Sequence, residues 1–201
     1  MSIDLTHKKI AVLMGGPGSE RKVSLASGAG VAKALRQLGA EVTEVDVTGP
    51  DFVVPTDVEV AFNAIHGTFG EDGQIQRILE SRGVKYTGEG VAASELAIDK
   101  IASKQRFVDR GVPTPAFEIL RGNADPTLAV PYVLKAPREG SSVGVFIVRT
   151  PAEVASSLAQ ARSYGSELLV EQFIEGRELT VGIVGDQALP IIEIVTKKDF
   201  Y

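Results

Sequence analysis

Lys135 stands where an apolar run gives way to a Gly/Ser loop, and it is the first position in the 201-residue chain where residue type and place together suggest chemistry. The stretch from Tyr132 to Val148 reads Y-V-L-K-A-P-R-E-G-S-S-V-G-V-F-I-V. Its ends are β-branched and aromatic, and its middle is turn-forming, so the pattern predicts strand, loop, strand. An ammonium group that closes a strand sits beside apolar neighbours, where an unpaired charge costs several kcal/mol, so Lys135 requires an anion. The loop Glu139-Gly140-Ser141-Ser142-Val143-Gly144 brings closely spaced N–H groups, two hydroxyls and glycines that let the main chain approach a ligand. Those features can cradle phosphate. The loop is not a Walker A sequence, because no Gly-Lys-Ser/Thr follows its glycines. A solvated hairpin whose Lys135 reaches out to water would use the same residues.

Glu20 and His66 form a second pair of candidates. Lys9 to Met14 reads as a buried strand that breaks at Gly15-Gly16-Pro17-Gly18-Ser19-Glu20-Arg21. Leu25, Gly28, Ala32, Leu35 and Leu38 then keep helical spacing, with Gly39 as the stop, and Val42 to Val47 reads as the next strand. Strand, helix, strand in that order predicts a parallel sheet. The glycines do not make G-x-G-x-x-G, which argues against a dinucleotide site. Val58 to Ile65 is another strand, ending on His66 and the Gly-rich run Gly67 to Gly73. Ligands gather beyond the carboxyl ends of strands in an open parallel sheet, and Glu20 and His66 both fall there. Glu20 suits a ligand's ammonium group, or simply the first turn of the helix. His66 is a ligand candidate or a structural histidine. A helix through Ile75, Ile78 and Leu79 stops near Gly83, and Val84 to Tyr86 reads as a short strand.

From about Gly88 the composition shifts. Ala92 to Arg110 predicts one or two helices, with Lys100 at the turn Asp99-Lys100-Ile101-Ala102-Ser103-Lys104, where it reads by itself as a surface residue. Ala116 to Leu120 is a strand. Thr150-Pro151-Ala152-Glu153 has the capping-box pattern that starts a helix carrying Val154, Leu158 and Ala161. Glu167 to Ile174 begins as a strand and crosses through Glu171-Gln172-Phe173-Ile174 into the turn Glu175-Gly176. Backbone groups of such a segment can read an adenine edge, although its residue types do not demand it. Arg177 to Val184 and Ala188 to Val195 alternate as a hairpin turning at Gly185-Asp186. This last, two-stranded piece is marginal alone and reads as cut off.

With 44% hydrophobic and 23% charged residues the chain is globular, large enough for one domain or two small ones. A net charge of −5 and a pI near 5.2, without a basic run, argue against nucleic acid or an anionic membrane as partner. There is no cysteine, hence neither a disulfide framework nor a thiolate metal site. The apolar run Ile10 to Met14 is too short for a signal-peptide core, and no segment approaches the roughly 18 residues of a membrane span, so the cytoplasm is the expected compartment.

In order and spacing these landmarks resemble the D-alanine-D-alanine ligase family of ATP-grasp enzymes. The matching residues are Gly15-Gly16 with Ser19-Glu20-Arg21 and Val23-Ser24; His66-Gly67 with Gly70-Glu71-Asp72-Gly73; Tyr86-Thr87-Gly88; Asp99-Lys100 with Ser103-Lys104; Lys135 with Arg138 to Gly144; and Glu171 with Glu178-Leu179-Thr180-Val181. The resemblance implies an α/β fold. Residues 1–88 would form a Rossmann-like, pre-ATP-grasp parallel-sheet domain for substrate, residues 89–169 the small α+β ATP-grasp subdomain with the phosphate loop, and residues 170–201 the start of the large subdomain. It implies that ATP phosphorylates one D-alanine carboxylate and the amine of a second D-alanine attacks the acyl phosphate, as in peptidoglycan precursor synthesis. By position, Glu20 would hold the first ammonium and His66 would lie beside the carboxylate. Val23 would line that pocket and Ser141 would hydrogen-bond across it. Lys100 and Lys135 would grip phosphates, with Ser142 adding loop contacts. Glu171 and the main chain near Phe173 and Ile174 would meet adenine, and Glu178 the ribose hydroxyls.

Two departures from the family pattern bear on these expectations. The Lys-Tyr pair, the Arg and the Asp, Glu and Asn ligands for two Mg²⁺ (or Mn²⁺) ions that follow in the family do not occur in these residues. The expectation is therefore of a truncated ligase, inactive alone, with its metal ligands beyond Tyr201. Gln172 replaces a frequent Lys at the adenine hinge. A D-alanine-D-lactate type of ligase or a non-catalytic nucleotide-binding fragment are the competing readings. A homodimer is implied by the resemblance alone.

Overall fold

The computed structural model describes residues 4–140 and 142–195. The chain forms two compact units. The first runs through Pro113 and also takes the loop from Pro137, while the second holds Thr114–Ala136 and the chain from Ser142 onward.

In the first unit, β1 (Lys9–Gly15) lies between β2 (Glu41–Val47) and β3 (Val60–Asn63), all parallel, with Ala11 opposite both Thr43 and Ala61. β1 is apolar without alternation because both of its faces are covered. Successive side chains point to opposite faces: Ala11 and Leu13 join Val47, Ile65, Ile75 and Leu79, whereas Val12 and Met14 join Ala32 and Ala64. The helix α1 (Arg21–Gln37) turns Ser24, Gly28 and Ala32 inward. This small-residue stripe lets the helix sit directly on β1, and a Cβ on Gly28 would come 2.5 Å from Met14 Cβ. The predicted apolar stripe fails at its end: Leu38 lies past the last turn and is 62% exposed, because Gly39 turns the chain away in the left-handed region.

After α2 (Gln74–Ser81), the predicted strand at Val84–Tyr86 is only a single parallel bridge between Ala61 and Tyr86. The Val84 N–H is still tied to the Leu79 carbonyl of the helix end at 2.9 Å, which leaves too short a free run for a strand. The helical segment that follows is two helices, α3 (Val91–Ile98) and α4 (Lys100–Asp109), broken at an extended Asp99.

The second unit is an antiparallel sheet of β4 (Phe117–Arg121), β5 (Tyr132–Lys135), β6 (Val145–Val148) and β7 (Glu167–Gln172), in the order β4-β7-β5-β6. Tyr132, Leu134, Val148, Leu168 and Val170 share one face and pack on Leu158 and Ala161 of α5 (Val154–Ala161). The capping box forms as read. Thr150 precedes a 3₁₀ turn, Pro151–Glu153, and the Glu153 carboxylate accepts the N–H of Thr150 at 3.1 Å and of Arg149 at 2.7 Å. Beyond β7 the predicted hairpin appears as a nested ribbon. Its outer pair is β8 (Glu178–Thr180) with β11 (Ile192–Ile194), its inner pair β9 (Ile183–Val184) with β10 (Gln187–Ala188), and it turns at Gly185.

Candidate functional site

The carboxyl ends of β1 and β3 are fastened together by one buried hydroxyl. Ser24 Oγ accepts the Gly15 N–H at 2.9 Å and donates to the Ala64 carbonyl at 2.7 Å, with the residue fully buried. This bond fixes the two loops that carry Glu20 and His66. Glu20 stands immediately before α1, yet its side chain makes no capping hydrogen bond. It lies instead against Gly67, where an added Cβ would collide with Glu20 Oε2 and where the backbone is left-handed (φ +65°). Gly67 is therefore required on two counts. His66 is half-buried, with Nε2 3.0 Å from Ser27 Oγ and Nδ1 3.8 Å from Glu71 Oε1. Next to it is a cleft of about 410 Å³ whose lining includes His66, Glu71 and Gln76. The loop after His66 is stiffened from within, since the Gly70 carbonyl accepts from both Asn63 and Gln76 at 2.8 Å, and Asp72 accepts the Phe69 N–H at 2.9 Å. Val23, in the first turn of α1, is 58% exposed.

Lys100 opens α4. Its N–H donates to the Pro137 carbonyl at 2.9 Å and its ammonium donates to the Glu139 carbonyl. Before it, Asp99 caps the helix through Oδ1, which accepts from Ile101 N at 3.0 Å and Ala102 N at 3.1 Å, and Oδ2 takes the Arg138 guanidinium. Burial works to raise the Asp99 carboxyl, but the Ala102 N–H, Arg138 and the Ile101 N–H outweigh it and hold Asp99 below its ordinary value. Gly140 brings this end of the loop close to Glu20, with 3.5 Å between its virtual Cβ and Glu20 Oε2. Ser141 lies outside the described residues.

In the second unit Lys135 meets an anion supplied by the chain itself, because its ammonium pairs with Glu171 Oε2. The register explains the partner. Val133 is opposite Glu171 and Lys135 is opposite Leu169, so Lys135 and Glu171 are diagonal neighbours on one face of adjacent strands. Ile147 of β6 is opposite Val133 and shares that face. The same Ile147 lines a cleft of about 640 Å³ with Phe173, Ile174, Gly176, Arg177 and Glu178. Thus Lys135 and Glu171 form a charged pair among Val133, Ile147 and Leu169, on the sheet face opposite Leu134 and Val170. Glu178, on β8, is exposed in that cleft. The Phe173 N–H donates to the Pro131 carbonyl at 3.2 Å and is thus engaged within the second unit. Arg149 lies over the Phe173 ring, 5.2 Å from its centroid. Ser142 adopts φ +60°, and the loop closes on β5 through Ala136 N–H to the Gly144 carbonyl at 2.8 Å.

Among the described residues no group of three or more His, Asp or Glu side chains is placed to hold a metal ion. A further cleft of about 770 Å³, around Phe52, Pro55 and Arg82, contains none of the candidate residues. Sequence reasoning overlooked Ser27 and the partnership of Asp99 with Arg138. The first was readable, since Glu20, Ser24 and Ser27 are spaced i, i+4, i+7 and so share a helix face. The Asp99 cap was equally visible as an Asp before a helix start, whereas its pairing with Arg138 needed the tertiary structure.

Comparison with known proteins gives a consistent result. Residues 46–89 match the family model described as D-ala D-ala ligase N-terminus, and residues 111–201 match that of D-ala D-ala ligase C-terminus. The chain is 49% identical to a D-alanine–D-alanine ligase of Citrifermentans bemidjiense over 98% of its own length and 66% of the relative's. It is 47% identical to one of Syntrophotalea carbinolica over 98% of its length and 67% of the relative's. Among solved structures, the D-alanine–D-alanine ligase of Bacillus anthracis complexed with ATP superposes with a TM-score of 0.82 at 30% identity, covering 96% of this chain and 68% of that one. The chain thus spans about two thirds of the length of the relatives it matches. No helix among the described residues is long and apolar enough to cross a membrane.

Proposed function

The chain belongs to the D-alanine–D-alanine ligase family, and from that premise we propose that it serves the ATP-dependent joining of two D-alanine molecules. The observation that carries the proposal is the meeting of Glu20 with the His66-Gly67 turn at the carboxyl ends of β1 and β3. A carboxylate and an imidazole are complementary to the ammonium and carboxylate of a small amino acid. In this reading Glu20 accepts the ammonium of the first D-alanine and His66 lies beside its carboxylate. Val23 borders the pocket and Ser141 hydrogen-bonds across it. Lys100 and Lys135 face the phosphates of ATP, Ser142 adds loop contacts, Glu171 with the main chain at Phe173 and Ile174 receives adenine, and Glu178 takes the ribose hydroxyls. Residues 1–88 then serve as the amino-acid domain, residues 89–169 as the small grasp subdomain and the residues from 170 as the beginning of the large one.

The chemistry balances in two steps. A carboxylate oxygen of the first D-alanine attacks the γ-phosphorus of ATP, the bond to the bridging oxygen breaks, and ADP leaves with that electron pair. The amine of the second D-alanine then attacks the acyl carbon, inorganic phosphate departs, and the amine nitrogen loses a proton. Charge on the transferring phosphoryl group has to be neutralised. Lys100 and Lys135 contribute to that, and Mg²⁺ supplies further neutralisation when bound. The described residues form no acidic cluster for the ion, so the roles above are assigned without it. A homodimer in the cytoplasm completes the reading. For the protein extended by the further third that its relatives carry, release of phosphate from ATP and Mg²⁺ with D-alanine and not with L-alanine, together with the appearance of D-alanyl-D-alanine, is the expected result. Equal release with either enantiomer would overturn the substrate assignment.

A further inference from the structure

The loop that begins at Pro137 is held on α4 by a device that the ligation chemistry does not use. Arg138 extends Nε and Nη2 to one oxygen of Asp99, at 3.1 and 3.0 Å. The other oxygen of Asp99 is already engaged by the first N–H groups of α4. The Asp99 side chain is 19% exposed and that of Arg138 77%, so a fixed, helix-anchored acceptor faces a solvent-side donor. Next to this pair, Lys100 donates its N–H to Pro137 and its ammonium to Glu139. Residues 137–140 are thus fastened to residues 99 and 100 by four separate contacts. The Lys100–Glu139 bond has a particular consequence. An ammonium has three donors, and the bond to the Glu139 carbonyl ties the direction of this one to the position of the loop.

We propose that Asp99 and Arg138 are positioning residues, a latch that seats the loop on α4 and through it aims the Lys100 ammonium at the nucleotide phosphate. The inference rests on the assignment of Lys100 to phosphate made above. The latch gives the loop one register on the helix, and Gly140 then comes to rest against Glu20. Loop seating in this way couples phosphate binding to the amino-acid site.

The test uses the whole protein, with Arg138→Met, Arg138→Lys, Asp99→Asn and the Arg138→Met/Asp99→Asn double variant. It reads amide hydrogen exchange over residues 138–140 and the dissociation constant for ATP. Arg138→Met is expected to speed exchange at these amides about threefold to tenfold and to weaken ATP binding by a similar factor, the size of one partly exposed charge pair. Arg138→Lys recovers part of both, because a point charge replaces the fork. Asp99→Asn keeps a cap acceptor and should resemble Arg138→Met, and the double variant should be no worse than the more severe single one. Unchanged exchange in Arg138→Met, or a double variant equal to the product of the singles, would overturn the latch. Arg138→Met removes nothing from α4 and so decides the question even if Asp99→Asn fails to fold. Lys100→Ala separates the premises. If it leaves ATP affinity at the parental value the phosphate assignment fails, while the exchange data still decide for or against the latch.

Discussion

Removing Lys135 should damage the second unit by more than the loss of one surface charge, because of where Glu171 sits. Glu171 lies on β7, with β4 on one side and β5 on the other, and its side chain is 9% exposed, so it cannot swing out to water. A buried charge stripped of its partner costs about 3 to 5 kcal/mol. The Lys135 side chain is 30% exposed, so water reaches one end of the pair and the expected cost of Lys135→Met falls to about 2 kcal/mol. For a unit of this size that lowers the melting temperature by about 10 °C. Glu171→Gln in the same background removes the buried charge and should return part of the loss, since replacing both partners of a buried pair is often close to neutral. Calorimetric melting of the parent, both single variants and the double variant gives the coupling, expected near 2 kcal/mol. Additive single effects, or a Lys135→Met cost under about 0.5 kcal/mol, would refute the view that this pair organises the sheet face. The same Lys135→Met protein should bind ATP about tenfold to a hundredfold more weakly, the size of one charge-assisted hydrogen bond.

Three further outcomes follow from particular contacts. The Asp99 carboxyl is held below its ordinary value, so its contribution to stability is complete above the unfolded-state value and is lost as pH falls through the lower folded value; in acid titrations followed by circular dichroism, Asp99→Asn should have a shallower stability loss below about pH 4 than the parent. Gly28→Ala places a methyl 2.5 Å from Met14 Cβ and should cost about 1 to 3 kcal/mol in urea unfolding, with D-alanine affinity in the surviving folded protein nearly unchanged. Gly67→Ala strains a left-handed residue and pushes on the Glu20 carboxylate; its D-alanine affinity should fall by at least tenfold, and a parental affinity would count against Glu20 as the ammonium acceptor.

Much of this architecture could be read from pattern. The unbroken apolar run of β1, the 3.6-residue spacing of α1 and the Thr150 box each point to one local structure, and each occurs as read. Leu38 continued a helical spacing that the chain leaves one residue earlier, which periodicity cannot detect. The requirement of Lys135 for an anion was legible from its place at the end of a strand. Which anion answers it was not, because Glu171 is 36 positions away and becomes a neighbour only through the pairing of Val133 with Glu171. The resemblance assigns Lys135 to phosphate and Glu171 to adenine as separate groups; their ion pair joins them on one sheet face. The resemblance places the main chain near Phe173 and Ile174 at adenine, and the bond of the Phe173 N–H to the Pro131 carbonyl is a tertiary fact.

The most direct test of the central claim is calorimetric titration of the protein with D-alanine and L-alanine, in the parent and in Glu20→Gln. The account predicts binding of D-alanine in preference to L-alanine, weakened about tenfold to a hundredfold by Glu20→Gln through loss of a charge-assisted contact to the ammonium. Undiminished D-alanine binding in Glu20→Gln would contradict it.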